Sequence, residues 1–255
     1  MTRSLGTFED DPGAGSAGFD YDRLPPGYYD RVYHAGKGVQ SKWHHDKFAR
    51  FAQALEGYRR HLDIGCGPGT FIGSLPAGAH ESLGIDIARP QIEYAEARYG
   101  GPGRTFRAVP AGPLPLDDGS FDAVTLIELI EHLPHERNLV LIGEALRVLR
   151  PGGRLLVSTP NYGSLWPLVE RLISRKGPVD YREQHITRYH RESLRALMTA
   201  SGAGAVTVEG YMLLSPFAAC LGWRFADAVA RIEPRLLTNR LGLLLFASAV
   251  KSDEH

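Results

Sequence analysis

An α/β fold built on a mostly parallel sheet, with helices on both faces, is predicted by three observations. Short apolar runs recur at His61–Ile64, Ser82–Ile87, Thr105–Val109, Asp122–Ile127 and Arg154–Ser158. Stretches with helical spacing fall between them at Thr70–Leu75, Arg89–Tyr99 and His135–Leu149. The first run enters a glycine turn, Gly65-Cys66-Gly67-Pro68-Gly69, that leads straight into the first of those helices. Strand, helix and strand at this spacing read as βαβ units, because parallel neighbours need a crossover and the crossover helices cover the sheet.

Length and composition narrow the class. The 255 residues suit one large domain with appendages. Apolar residues make up 43% and charged residues 23%, ordinary for a soluble globular protein. The 29 basic and 29 acidic side chains cancel, so no overall drive toward nucleic acid or an acidic membrane exists. Cys66 and Cys220 are too few for a disulfide scaffold and fit a reducing compartment. The N-terminus has no apolar signal-peptide core, and no apolar run approaches the ~20 residues of a transmembrane helix. A cytoplasmic protein is expected.

In chain order, residues 1–27 are rich in Gly, Asp and Pro, lack hydrophobic periodicity and read as a flexible leader. The stretch from Tyr28 to Leu55 carries Tyr28, Tyr29, Tyr33, Trp43, Phe48 and Phe51, and its second half has helical spacing up to a stop at Gly57. The alternating core follows. After Pro160 the pattern loosens, with a helical piece near Leu165–Ile173, a helix over Arg191–Ala200 stopped by Gly202, and strands at Ala205–Tyr211 and Leu241–Val250. Ser215–Ile232 is apolar with scattered polar residues.

The most specific signal is Leu62-Asp63-Ile64-Gly65-Cys66-Gly67-Pro68-Gly69-Thr70. Glycines after a strand let the backbone turn sharply and leave room for a ligand beside the next helix. A dinucleotide loop prefers G-x-G-x-x-G, whereas the third glycine here comes one residue early and an acid precedes the turn. A carboxylate repels a pyrophosphate and suits a cationic ligand or an ammonium group. Asp86 ends the second apolar run, where an acid can accept both hydroxyls of a ribose. Together these features resemble the class I S-adenosylmethionine-dependent methyltransferases. The resemblance continues through Ser120-Phe121-Asp122 at the fourth strand and Leu149-Arg150-Pro151-Gly152-Gly153 before the fifth, and covers roughly residues 28–250.

That resemblance implies a Rossmann-like, seven-stranded, mostly parallel sheet with its last strand antiparallel and an N-terminal helical cap. It implies a methyltransferase domain over residues 28–255, with residues 161–190 and 212–240 as substrate-side insertions or a lid. Asp63, Gly65, Cys66, Gly67 and Gly69 would hold the methionine end of S-adenosylmethionine, Asp86 the ribose, Ile87 the adenine face, and Ile127 would lie beside the donor methyl group. Where the family often places an adenine-binding Asp, this chain has Pro110, which offers no side-chain acceptor and no N–H. Adenine recognition then falls to backbone groups such as those of Ala111.

After the fourth run comes Glu128-Leu129-Ile130-Glu131-His132. One helical turn there would put Glu128, Glu131 and His132 on one face. Two carboxylates with an imidazole suit a divalent cation, Mg²⁺ or Mn²⁺; equally, the residues can cap a helix or line the cofactor. The Glu-x-x-Glu-His spacing resembles the metal motif of small-RNA 2′-O-methyltransferases and ubiquinone-pathway O-methyltransferases. Gln184-His185-Ile186-Thr187-Arg188-Tyr189-His190-Arg191 resembles the segment that brings a further ligand in the RNA enzymes. By that match His185 is the fourth ligand and His190 stands at the start of a helix. Without metal, His132 or His185 is the general base.

The substrate side is less specific. No Lys/Arg stripe accompanies exposed aromatics, which argues against RNA. The helical piece near Leu165–Ile173, beside Arg171, Arg175 and Lys176, and the apolar Tyr211–Phe225 stretch read either as packed helices, as a lid over an apolar acceptor, or as a surface touching a membrane. The expected function is O-methylation of a small or lipid-like hydroxylated acceptor, with Glu128, Glu131, His132 and His185 organising it. The rivals are metal-free N- or C-methylation and a non-catalytic protein that keeps the fold for interaction or regulation. The oligomeric state stays open.

Overall fold

The computed structural model describes residues 25–174, 184–233 and 238–252. The expectations for most of the leader and for the basic pair Arg175 and Lys176 lie outside the described residues. Seven strands form one sheet: β1 (Arg60–Ile64), β2 (Glu81–Asp86), β3 (Arg104–Ala108), β4 (Phe121–Ile127), β5 (Leu149–Pro160), β6 (Gly204–Tyr211) and β7 (Leu244–Val250), in the order β3-β2-β1-β4-β5-β7-β6. The first five are mutually parallel, and β7 runs antiparallel to both β5 and β6. The chain winds outward from β1 to β3, then crosses back to place β4 on the other side of β1. That reversal opens a crevice at the C-terminal edge of the sheet, where Ile64, Asp86 and Ile127 end their strands.

Helices α1 (Tyr28–His34), α2 (Gly38–Ala54), α3 (Thr70–Ser74), α4 (Arg89–Tyr99) and α5 (His135–Val148) are followed by α6 (Trp166–Ser174), α7 (Arg191–Ala200), α8 (Ser215–Ala218), α9 (Trp223–Ile232) and α10 (Thr238–Leu241). The strands are apolar on both faces because both are covered. Val124 and Leu126 of β4 pack with Ile142, Ala145 and Leu146 of α5 and with Leu194, Leu197 and Met198 of α7. Ala123 turns to the other side, with Leu156, Phe246, Phe51 of α2 and Phe71 of α3. Removing a buried aromatic such as Phe51 costs about 3–5 kcal/mol, so this second core fixes α2 over the crevice.

The N-terminal cap is two helices rather than one, broken by Gly36 at φ 61°. Asp30 ties α1 down: it is buried and accepts hydrogen bonds from Thr70 Oγ1 at 3.0 Å, Tyr94 Oη at 2.8 Å and the Tyr99 hydroxyl. Thr70 directly follows the glycine turn, so the cap is anchored beside it. The apolar Ser215–Ile232 stretch resolves into α8, a 3₁₀ turn and α9, interrupted at Gly222 with φ 127°. The last strand starts at Leu244 instead of Leu241, because residues 238–241 form α10.

Candidate functional site

The loop after β1 is tied to the end of β2. Gly65 N and Cys66 N donate to the Ile85 carbonyl at 2.8 and 3.0 Å. Gly67 N donates to Asp86 Oδ2 at 2.8 Å, and Ala88 N donates to Asp86 Oδ1 at 2.8 Å. Two of the glycines answer different demands. A Cβ on Gly69 would meet the Phe106 ring at 2.6 Å, so glycine there permits close packing. Gly67, at φ 51°, would point a Cβ into open space, which is the room a ligand needs beside the turn. Burial pushes the Asp86 carboxyl upward while its backbone donors pull the other way. Burial lifts Asp63 to about 7; a Thr125 hydrogen bond opposes this, Asp86 adds to it and Lys47 opposes it.

The remaining cofactor candidates scatter around this crevice. Ile87 is 58% exposed next to Asp86, Ala111 is exposed and Ile127 is half-buried. The Cys66 side chain packs inward with Ile72, Ile92 and Phe106. Only its backbone can line the loop.

Beyond β4 the structure departs from the helical turn anticipated from the spacing. Glu128 has a left-handed backbone at φ 51°, and only Ile130–His132 forms a short 3₁₀ turn. The Glu128 carboxylate is ion-paired with buried Lys47 of α2 and is not part of the group that Glu131, His132 and His185 form. Glu131, His132 and His185 do converge: their ligating atoms lie within 4.8 Å of one another, the one such group among the described residues. Stitching across the chain explains the meeting. His132 Nδ1 donates to the Gln184 carbonyl at 3.0 Å, Thr187 N donates to the Glu131 carbonyl at 3.0 Å, and Thr187 Oγ1 donates to the Leu133 carbonyl at 2.6 Å. His190 stands outside the group and caps α7 through Ser193.

Each ring is oriented by its second nitrogen. His132 carries its proton on Nδ1, toward Gln184. His185 Nδ1 donates to Glu170 Oε1 at 2.6 Å, and the Tyr162 hydroxyl donates to the same oxygen at 2.6 Å. The Gln184 carbonyl thus orients the His132 ring through Nδ1, and the Glu170 carboxylate orients the His185 ring through Nδ1. Burial alone would lift Glu170; the His185 ring and the Tyr162 hydroxyl outweigh it and hold the carboxyl low. Burial lowers His132 to about 4 and lifts Glu131 to about 7, with His185 opposing the latter and Glu128 adding to it. Glu131 Oε2 is buried with no hydrogen-bond partner among the described residues.

Lys47, Glu170 and Tyr162 escaped the sequence reading. Glu170 had a faint signal, as the one acid inside an apolar helical piece; a lysine on an N-terminal helix had none.

A buried carboxyl raised from 4.5 to about 7 favours the protonated folded state, so its cost grows as pH rises between those values. At about 1.36 kcal/mol per unit, the ionised form costs roughly 3 kcal/mol. Glu131→Gln is expected to be up to ~3 kcal/mol more stable than the parent near pH 8 and equal to it near pH 4, measured by denaturant unfolding in chelator. A variant less stable at both values would contradict this electrostatic assignment.

With this geometry in hand, the comparisons with known proteins bear on it directly. A family model described as a methyltransferase domain matches residues 62–157, from the glycine loop through β5. Residues 62–157 are thus similar to a methyltransferase domain. Among its relatives is a probable S-adenosylmethionine-dependent methyltransferase of Mycolicibacterium smegmatis, 37% identical over 129 residues, covering 49% of this chain and 48% of the relative. A ubiquinone biosynthesis O-methyltransferase of Bordetella avium is 32% identical over 131 residues, covering 50% and 52%. The chain thus spans about half the length of these curated relatives. A crystal structure of a methyltransferase from Archaeoglobus fulgidus superposes with a TM-score of 0.61 at 22% identity, covering 88% of this chain and all of that one. The chain therefore has the expected Rossmann-like fold, and its glycine loop, Asp86 and the cluster after β4 occupy the edge where such a sheet binds ligands.

Proposed function

We propose that the methyltransferase domain transfers the methyl group of S-adenosylmethionine to a hydroxyl oxygen of a small or lipid-like acceptor, organised by Glu131, His132 and His185. The convergence of those three side chains within 4.8 Å carries the reading. It lies past the end of β4, next to strands whose ends offer Gly67 and Asp86. Each Asp86 oxygen accepts one backbone N–H and keeps a second lone pair for a ribose hydroxyl. Asp63 supplies negative charge for the methionine end, Ile87 an apolar surface for adenine, and Ala111 backbone groups for its edge.

The donor sulfonium needs little activation, whereas the acceptor oxygen must be nucleophilic and in line. One carboxylate and two imidazoles are a donor set for a divalent ion, and opposite ligands of such an ion stand up to ~4–5 Å apart. The orphaned Glu131 Oε2 is a second point of fit. A bound ion would lower the pKa of the acceptor hydroxyl and fix its direction. With Glu128 engaged by Lys47, the donor set is richer in nitrogen, which favours Mn²⁺ over Mg²⁺. Glu170 and Tyr162 orient His185 toward the acceptor.

Apolar character of the acceptor is supported by Leu165, Leu168 and Leu172, exposed on and beside α6, the helix whose inward Glu170 holds His185. Leu214, Phe217, Leu221 and Phe225 are exposed around α8 and α9, and the same surfaces would serve peripheral membrane contact. No helix among the described residues is long and apolar enough to cross a membrane.

The test is methyl transfer to catechol and to an alkylated catechol, in excess chelator and with Mn²⁺ restored. Transfer that needs the ion and prefers the alkylated probe is expected. A second reading has its own observation: the Glu170–His185 pair is the arrangement of an oriented general base. Undiminished transfer in chelator would favour that reading. Absence of any S-adenosylhomocysteine binding would overturn both.

A further inference from the structure

Behind Asp63 lies a buried polar chain that the methyl-transfer chemistry does not use. Thr125 of β4 stands opposite Asp63 of β1 in the parallel register, and Ser82 of β2 stands opposite His61. Thr125 Oγ1 lies 2.5 Å from Asp63 Oδ1, His61 Nε2 lies 2.9 Å from Thr125 Oγ1, and Ser82 Oγ lies 3.2 Å from His61 Nδ1. All four residues are buried, and the His61 ring sits edge-on to Phe71 in the apolar layer beneath α2 and α3. A histidine in a central strand of an apolar sheet is costly unless its nitrogens are satisfied.

The proton inventory of this chain has two states in which every link of the relay is made, the Leu62 carbonyl at 3.5 Å from Thr125 Oγ1 being a longer alternative acceptor. If Asp63 is ionised, it can only accept, so Thr125 donates to it. Thr125 must then accept from His61 Nε2–H, and the bare Nδ1 accepts from the Ser82 hydroxyl. If Asp63 carries a proton on Oδ1, every arrow reverses: Asp63 donates to Thr125, Thr125 donates to Nε2, and Nδ1–H donates to Ser82. The two states differ by one proton on Asp63 and by the tautomer of a neutral His61. We infer that His61 is a positioning residue for the cofactor, acting through Thr125, and that a cation seated before Asp63 locks the chain with the His61 proton on Nε2.

Two observations support the coupling. Burial lowers His61 to about 3, with His80 adding to it, so the ring is neutral and must choose one tautomer. Asp63, at about 7, sits near its midpoint in neutral solution, so modest differential binding redistributes the states. The groups that face the chain are Asp86 from β2, Lys47 from α2, the Cys66 thiol in the glycine loop, and His80 before β2. Of these, Lys47 already pairs with Glu128. A cofactor ammonium is the charge that can tip the balance.

This inference rests on the proposal that S-adenosylmethionine binds before Asp63, and the experiment separates the two. Side-chain ¹⁵N spectra of the full chain, labelled at histidine, report the tautomer of His61 directly, assigned by its loss in His61→Asn. With S-adenosylhomocysteine, whose ammonium is that of the cofactor, His61 is expected as the Nε2–H tautomer. Without ligand, at about pH 6, a substantial Nδ1–H population is expected. Thr125→Val should lower S-adenosylhomocysteine affinity roughly tenfold and abolish the ligand-dependent tautomer change, while Thr125→Ser restores both. Saturable binding with an unchanged His61 tautomer would overturn the relay and leave the cofactor reading intact. Failure of the wild type to bind S-adenosylhomocysteine would overturn both.

Discussion

Asp86→Ala is expected to weaken S-adenosylhomocysteine binding by about 3 kcal/mol or more, over a hundredfold in affinity. The ribose loses two charge-assisted acceptors, and the protein loses more besides. The same carboxylate holds Gly67 N and Ala88 N at 2.8 Å, so its removal is expected to loosen the glycine loop as well. Asp86→Asn keeps one acceptor and should fall in between. Gly67→Val should be at least as damaging, because a β-branched residue must adopt φ 51° and fill the open space beside the turn. Isothermal titration of folded variants checks both. Unchanged affinity in Asp86→Ala would mean the ligand does not sit at the end of β2.

His185→Ala should reduce turnover by about 10²- to 10⁴-fold, whether the imidazole holds an ion or acts as a base, while S-adenosylhomocysteine affinity stays within about twofold of the parent. The separation follows from the different residues involved: His185 meets Glu131 and His132 past the end of β4, whereas the loop is tied to Asp86. Glu170→Gln tests the support behind the ring. It keeps the shape of the side chain but removes the charge that accepts from Nδ1 at 2.6 Å. A loss of about 10- to 100-fold is expected, and Tyr162→Phe should lose less, since the Glu170 carboxylate still accepts from His185 Nδ1 without it. Under the metal reading, His185→Ala also raises the Mn²⁺ concentration needed for half-maximal activity. Equal losses of turnover and cofactor affinity in His185→Ala would point to a collapsed site.

The sheet was legible because its strands are buried on both faces, so β1, β2, β4 and the core of β5 stand out as apolar runs between helical spacings. The glycine loop and Asp86 were legible because the turn restricts which residues fit. Three features were not. Glu128 belongs by spacing with Glu131 and His132, yet it has a left-handed backbone and pairs with Lys47 of α2, and neither feature is encoded within the local segment. Glu170 supports His185 only because α6 folds back over residues 184–190, a tertiary contact across distant positions. Cys66 lies in the loop motif but points into the core with Ile72 and Phe106. Local period and turn chemistry reveal elements, whereas the partners of a charged side chain depend on which elements meet.

The central claim is that two sites stand side by side at one edge of the sheet: a cofactor on Asp63, Gly67 and Asp86, and a divalent ion on Glu131, His132 and His185. Crystals grown with S-adenosylhomocysteine and Mn²⁺, with anomalous difference maps collected at the manganese edge, test both at once. The account predicts a ribose on Asp86 and an anomalous peak within ~2.0–2.6 Å of Glu131, His132 Nε2 and His185 Nε2. A ligand bound away from Asp86, or no peak among those three side chains at saturating Mn²⁺, would contradict it.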